Sequence, residues 1–237
     1  MKALVFQHLA IEHPGILRDF MAADGVAWDA VELDEGQPIP PLEGYDALLV
    51  MGGPMDVWQE AEHPWFVAEK AAIRRWVTEL RRPYLGLCLG HQLLASALGA
   101  EVGPGKPEIG VLPVELTAEG RKDRLLAGLP PTLQALQWHS AEVKALPPGG
   151  VTLASSPVCP INALRVGDRA WGLQFHVEVT ASTVDEWGEI PAYACALDNA
   201  LGQGALADFR EKAAAAMPGF NAAARQLYDN FMGVVRG

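Results

Sequence analysis

The chain has 237 residues, half of them apolar and a fifth charged, with a formal net charge of −11, which is the composition of a folded globular protein rather than a disordered one. The acidic balance, with no basic cluster beyond Arg74-Arg75 and Arg81-Arg82, argues against a nucleic-acid partner. No apolar run approaches the roughly 20 residues of a membrane-spanning helix, and the amino terminus turns polar too early for a secretory segment. Cys88, Cys159 and Cys195 are too few and too scattered for a disulfide framework or a paired-cysteine zinc site. The expectation is therefore a cytoplasmic protein with no membrane partner, no metal and no cofactor.

Residues 2–6 read as a buried strand and 14–23 as a helix opened by proline and closed before Gly25. A second strand is expected at 27–33. After a Pro-rich loop, 46–51 form a near-continuous apolar strand that stops at Gly52-Gly53-Pro54. Helical spacing of Phe66, Ile73, Trp76, Val77 and Leu80 predicts one long helix over 64–81. Residues 83–87 are the next buried strand, and 91–98 a short helix ended by Gly99.

Strands are expected next at 109–117, 133–138 and 151–154, then a hairpin of 161–166 and 170–175 turning at Gly167-Asp168. Beyond Thr180 the chain reads as helical, most clearly at 211–216 and 221–234. This order predicts an α/β fold: a mostly parallel central sheet flanked by helices on both faces, with an antiparallel extension and a helical carboxy terminus. No internal repeat or linker divides it, so a single domain over 1–237 is expected, its core about 1–180 and a helical extension about 181–237.

Gly86-Leu87-Cys88-Leu89-Gly90 between a buried strand and a helix has the form of a nucleophile elbow. The glycines leave room for neighbouring chain and substrate, and the helix N-terminus favours the reactive thiolate of Cys88. Cys159 and Cys195 lack such a setting and read as ordinary residues. A nucleophilic cysteine needs a base and a group to orient that base. His8, His13 and His63 fall near element ends, where surface or capping roles are expected, and His91 points away from Cys88 or lines the pocket wall. His176 ends an apolar strand with Glu178 two residues on, and in extended chain those two side chains share a face. Gly53 and Leu89, at neighbouring strand ends, can offer backbone N–H groups to an oxyanion.

Gly52-Gly53-Pro54, Gly86-Leu87-Cys88-Leu89-Gly90-His91-Gln92 and Gln174-Phe175-His176-Val177-Glu178 together resemble the class I (triad) glutamine amidotransferases. The branch most similar is that of free-standing proteins like the glutaminase domain of GMP synthetase, and the resemblance covers about 40–180. It implies a flavodoxin-like sheet and a Cys88 thiolate that attacks the γ-carboxamide carbon of a glutamine-like substrate to form a γ-glutamyl thioester. His176 would carry the proton, Glu178 would orient it, Gly53 and Leu89 would form the oxyanion hole, and Gly52, Gln92 and His139 would help hold the substrate.

Three departures stand out. Val177 occupies the place of the family's proline in Phe-His-Pro-Glu, which frees a φ angle and adds an N–H. His139-Ser140-Ala141-Glu142 stands where GMP synthetases often show His-Gly-Asp. The ATP-pyrophosphatase loop and any Gly-x-x-x-x-Gly-Lys-Ser/Thr motif are missing, so ammonia made here has no acceptor in this chain. Three readings follow: an amidotransferase subunit that passes ammonia to a synthetase partner, a stand-alone hydrolase of γ-glutamyl compounds, or a silent regulatory protein on the same fold. An intracellular-protease-like elbow protein ranks below these, since residues 6–8 are Phe-Gln-His where an acid would be wanted.

Overall fold

A computed structural model describes all residues, 1–237. Its nine strands are β1 (Lys2–Gln7), β2 (Ala27–Glu32), β3 (Ala47–Val50), β4 (Tyr84–Leu87), β5 (Val102–Leu116), β6 (Thr132–Val143), β7 (Gly150–Ser155), β8 (Ala163–Val166) and β9 (Ala170–Leu173). They form one sheet in the order β2-β1-β3-β4-β9-β8-β7-β5-β6. The first five in that order pair in parallel, and the remaining four join antiparallel. This is the mixed sheet expected from the alternation of strand and helix.

Period-2 alternation divides the core between the two faces. Along β1, Ala3 and Val5 pack on one side with α1 (Leu17–Ala23) and the carboxy-terminal helices, while Leu4 and Phe6 pack on the other with α2 (Trp65–Arg75) and α3 (Leu89–Ala97). Phe66, Ile73 and Trp76 are fully buried on that second side. Each contributes on the order of 2 kcal/mol by leaving water.

The structure corrects several boundaries. The expected helix over 64–81 ends as α2 at Arg75, and Trp76–Leu80 continue as a π-helical turn closed by Arg81 at φ 51°. Widening the turn lets the Trp76 indole N–H reach the Pro83 carbonyl at 3.0 Å. Helix α3 begins at Leu89, two residues before the expected start, because the turn at Cys88 passes directly into it. Strand β5 begins at Val102, seven residues before the expected start, and pairs with β6 across an irregularity between Pro104 and Glu108.

At the carboxy terminus α4 (Thr183–Gly188), α5 (Pro191–Leu201) and α6 (Ala205–Arg236) follow one another. Helix α6 continues through Pro218-Gly219, joining the two expected segments 211–216 and 221–234. Both residues are exposed while Ala213 and Phe220 are buried, so the carbonyl freed by the proline faces water and the apolar stripe continues. No helix is long and apolar enough to cross a membrane.

Candidate active site

Cys88 follows the end of β4 with φ 50° and ψ −103°, one of two non-glycine residues at positive φ. Such a conformation costs on the order of 1–3 kcal/mol. The surroundings hold it: Cys88 N–H donates to Leu173 O of β9 at 2.8 Å, and Gln92 N–H reaches back to Cys88 O at 3.2 Å. The flanking glycines are required by close approach. A Cβ at Gly86 would lie 2.4 Å from Gly90 O, and one at Gly90 would lie 2.1 Å from Val50 O. Tyr84 Oη donates to Gly90 O at 2.7 Å, and Gly90 N–H to Met51 O at 3.1 Å, pinning the first turn of α3 to β3 and β4. The N-terminus of α3 thus faces the sulfur, and the Leu89 N–H belongs to the first turn, whose N–H groups lack intrahelical acceptors.

Strand β9 ends at Leu173, two residues short of the expected end, and residues 174–178 bend, with only an isolated bridge at His176, so the His176 and Glu178 side chains meet through this turn and not through a continuous strand. His176 Nδ1 donates to Glu178 Oε1 at 2.6 Å, and both side chains are buried. Burial opposes the imidazolium, but the Glu178 charge, the adjacent Cys88 sulfur and the bond to Glu178 outweigh it, holding the His176 pKa well above its ordinary value. The added N–H of Val177 is used: it donates to Glu178 Oε2 at 3.0 Å, so the carboxylate is held by both oxygens. Trp187 of α4 meets the imidazole edge to face at 4.8 Å between centroids. Backbone bonds between His176 and Leu136 tie this segment to β6.

A cleft of about 480 Å³, open mouth included, spreads over Cys88, with Gly53, Gln92, Trp138, His139 and Tyr193 among its walls. Gly53 therefore stands where expected, beside the elbow. Gly52 lies behind it: its carbonyl faces His8 Nδ1 at 2.8 Å, and a Cβ there would be 2.6 Å from Glu12 Oε2 and 3.6 Å from His176 Cε1.

Gln92 reaches the cleft, yet its amide donates to Gln174 Oε1 at 3.0 Å and Ala141 O at 3.3 Å. Gln174 in turn donates to Cys88 Sγ at 3.4 Å. His139 is fixed from both edges, by Ala141 O at 3.1 Å and Glu108 Oε2 at 3.2 Å. Glu108, His139 and Cys159 bring a carboxylate, an imidazole and a thiol within 4.8 Å of one another. Ser156 and Asn162 also donate to Glu108 Oε2, and burial with nearby carboxylates pushes the Cys159 thiol up to about 12. Glu108, itself held by Ser156 and Asn162, is the hydrogen-bonded support for His139.

Several contributors escaped the sequence reading. Glu12, in the loop after β1, is buried and accepts a hydrogen bond from Tyr193 Oη of α5. Burial raises its pKa, against the pull of Tyr193 and His176. A glutamate in a loop and a tyrosine in a distant helix carry no local signal of their meeting. His8, expected at the surface, is fully buried against Glu69 Oε1 at 3.0 Å. Burial lowers its pKa, but Glu69 and the Gly52 carbonyl raise it further than burial lowers it. His91 points away from Cys88 toward Gly172, and burial lowers its pKa to about 4. His13 accepts from Gly15 N–H in the turn before α1, whose N-cap, Ile16, makes no side-chain hydrogen bond.

Known proteins share this architecture. A glutamine amidotransferase from Thermotoga maritima superposes with a TM-score of 0.86 at 28% identity, covering 100% of this chain and 99% of its own. One from Methylobacillus flagellatus does so with a TM-score of 0.83 at 28% identity, over 98% and 94% of the two chains. In sequence, a subunit of the glutamine-hydrolysing GMP synthase of Sulfolobus acidocaldarius is 36% identical over 153 residues, 64% of this chain and 77% of that protein. A glutamine amidotransferase-like protein of Salmonella typhimurium is 36% identical over 165 residues, 68% and 67% of the two chains. The class-I glutamine amidotransferase family model matches residues 16–187, from the edge of α1 into α4 and so across the elbow, the cleft and the His176 segment. The chain belongs to the class-I glutamine amidotransferase family.

Proposed function

We propose that this protein hydrolyses the γ-amide of glutamine or of a γ-glutamyl compound through a thioester on Cys88. His176 takes the thiol proton, and the Cys88 sulfur attacks the γ-carbonyl carbon. The oxyanion is met by the N–H groups of Gly53 and Leu89, the latter at the positive end of α3. Collapse of the tetrahedral adduct breaks the C–N bond while the imidazolium returns its proton to the leaving nitrogen, releasing ammonia or an amine. Water, deprotonated by His176, then attacks the thioester; the γ-carboxylate product leaves and the thiol is restored. Glu178 fixes the imidazole tautomer and stabilises the imidazolium in both halves.

The observation that carries this reading is the strained elbow of Cys88 set beside an imidazole that is already bonded to a buried carboxylate. A silent scaffold has no physical need for that constellation. Release of glutamate from glutamine and from γ-glutamyl peptides by purified protein tests the reading. Cys88→Ala is expected to lower turnover by about 10³-fold or more, and a glutamine-like electrophile is expected to add its mass at Cys88. Equal turnover by the alanine variant, or labelling elsewhere, overturns the mechanism.

The relatives named as subunits of a glutamine-hydrolysing GMP synthase favour a role in which ammonia passes to a synthetase partner. Tyr193 and neighbouring α5 residues, beyond the part matched to the family, wall the cleft. That extra wall favours the second reading, a stand-alone γ-glutamyl hydrolase. Stimulation of glutamine hydrolysis by a co-purifying synthetase supports the first; full activity on γ-glutamyl amines without one supports the second.

A further inference from the structure

Asp56 lies three residues after Gly53 and lines the same cleft as Cys88. Its turn is rigid: Asp56 N–H donates to Gln59 Oε1 at 2.7 Å, and Gln59 N–H donates to Asp56 O at 2.9 Å. Lys70 clamps the same turn through Val57 O at 2.6 Å and Glu60 Oε1 at 2.7 Å, which leaves its charge committed away from Asp56. The Asp56 carboxylate itself is half-buried, and no donor within the chain reaches it. Burial alone raises its pKa. Among the residues that wall the cleft Asp56 is the one carboxylate, and no lysine or arginine joins it. Glu12 stands behind the wall, engaged by Tyr193.

A half-buried carboxylate with no donor from the chain meets only water, and a cation seated in the cleft adds a charge-assisted hydrogen bond. The γ-glutamyl group offers such a cation. Its α-carbon lies three C–C bonds, about 4 Å, from the carbonyl that Cys88 attacks, and it carries an ammonium. Resting on the proposed γ-glutamyl chemistry, we propose that Asp56 is the specificity-determining counter-charge for the α-ammonium of the substrate. With no cation in the walls, the α-carboxylate has no charge-for-charge partner. The preferred substrate class is thus a γ-glutamyl donor with a free α-amine, its α-carboxyl free or amidated. N-acylated donors are disfavoured, because acylation removes the charge and leaves Asp56 unpaired.

The experiment compares L-glutamine, its α-amide and N-acetyl-L-glutamine on the wild type, on Asp56→Asn and on Glu62→Gln, an exposed acid of the same loop. The wild type is expected to favour the two free amines by about tenfold or more in kcat/KM, the scale of one charge-assisted hydrogen bond. Asp56→Asn is expected to raise their KM by about tenfold, with the smaller effect on kcat, and to narrow the preference; Glu62→Gln keeps the wild-type pattern. An unchanged KM in Asp56→Asn, or N-acetylglutamine consumed as well as glutamine, overturns the assignment. Alkylation of Cys88 by a glutamine-like electrophile and by its N-acetyl form repeats the comparison without turnover. If the wild type hydrolyses nothing while the amine preference in alkylation persists and is lost in Asp56→Asn, the hydrolytic reading falls and Asp56 stands. If hydrolysis proceeds without any amine preference, the hydrolytic reading stands and the role of Asp56 falls.

Discussion

Glu178 is gripped at both oxygens, by His176 Nδ1 and by the Val177 N–H, and the second grip exists because residue 177 is not proline. The family's proline restrains this turn through a fixed φ; here a hydrogen bond supplies the restraint. Glu178 also raises the His176 pKa, so Glu178→Gln is expected to lower it. The upper limb of the pH profile of kcat/KM, where the imidazolium loses its proton, moves to lower pH in that variant, and turnover falls by about 10²-fold or more. Stability follows the same linkage. A raised histidine pKa stabilises fully below the unfolded value and loses that contribution as pH rises through the folded one, so the stability gap to Glu178→Gln is widest in mild acid. Denaturant melts at several pH values check it. Cys88, His176 and Glu178 were legible because their signals are local: two glycines around a cysteine, and a histidine and glutamate two residues apart, which meet even though the chain bends there instead of running on as a strand. Glu12, Tyr193 and Asp56 were not, since their meaning comes from which loop and helix lie across the cleft.

At the scale of elements, the elbow depends on how closely α3 can approach β3. Gly90 touches the Val50 carbonyl, and a Cβ 2.1 Å from that oxygen forces the helix outward. Gly90→Ala is expected to cost about 1–3 kcal/mol and to lower Tm by several degrees, measured by thermal melts. It is also expected to reduce Cys88 alkylation, because the helix end retreats from the sulfur. The parallel strands were readable from their apolar runs, as was the hairpin of β8 and β9 from Gly167-Asp168. The π-helical end of α2 was not. Helical spacing continues through Trp76, Val77 and Leu80 whichever way the turn closes, and the choice rests on the Trp76 bond to Pro83.

Across the whole molecule, one sheet carries Cys88 at its centre and sets His176 against its far edge. β4, which ends at Cys88, lies fourth in the strand order and β6 lies ninth, yet Leu136 of β6 and His176 exchange two backbone hydrogen bonds of 2.8 and 3.0 Å. The class of fold was visible in the alternation of strand and helix, whereas this return of the edge strand was not, because it depends on the curl of the sheet. The carboxy-terminal helices were visible only as helical segments, since Pro218-Gly219 mark a break unless their solvent-facing position is known. The paired strands β5 and β6 therefore tie the His176 segment to the sheet that carries Cys88. Loosening that tie is expected to move imidazole and sulfur apart before the central strands separate. Activity is accordingly expected to fade at a lower temperature than global unfolding, with reversible loss of turnover while the far-ultraviolet circular dichroism holds, and a disulfide stapling this strand pair to the rest of the sheet is expected to bring the two midpoints together. Coincident midpoints in the unmodified protein would show that the sheet gives way as one unit, base and nucleophile included.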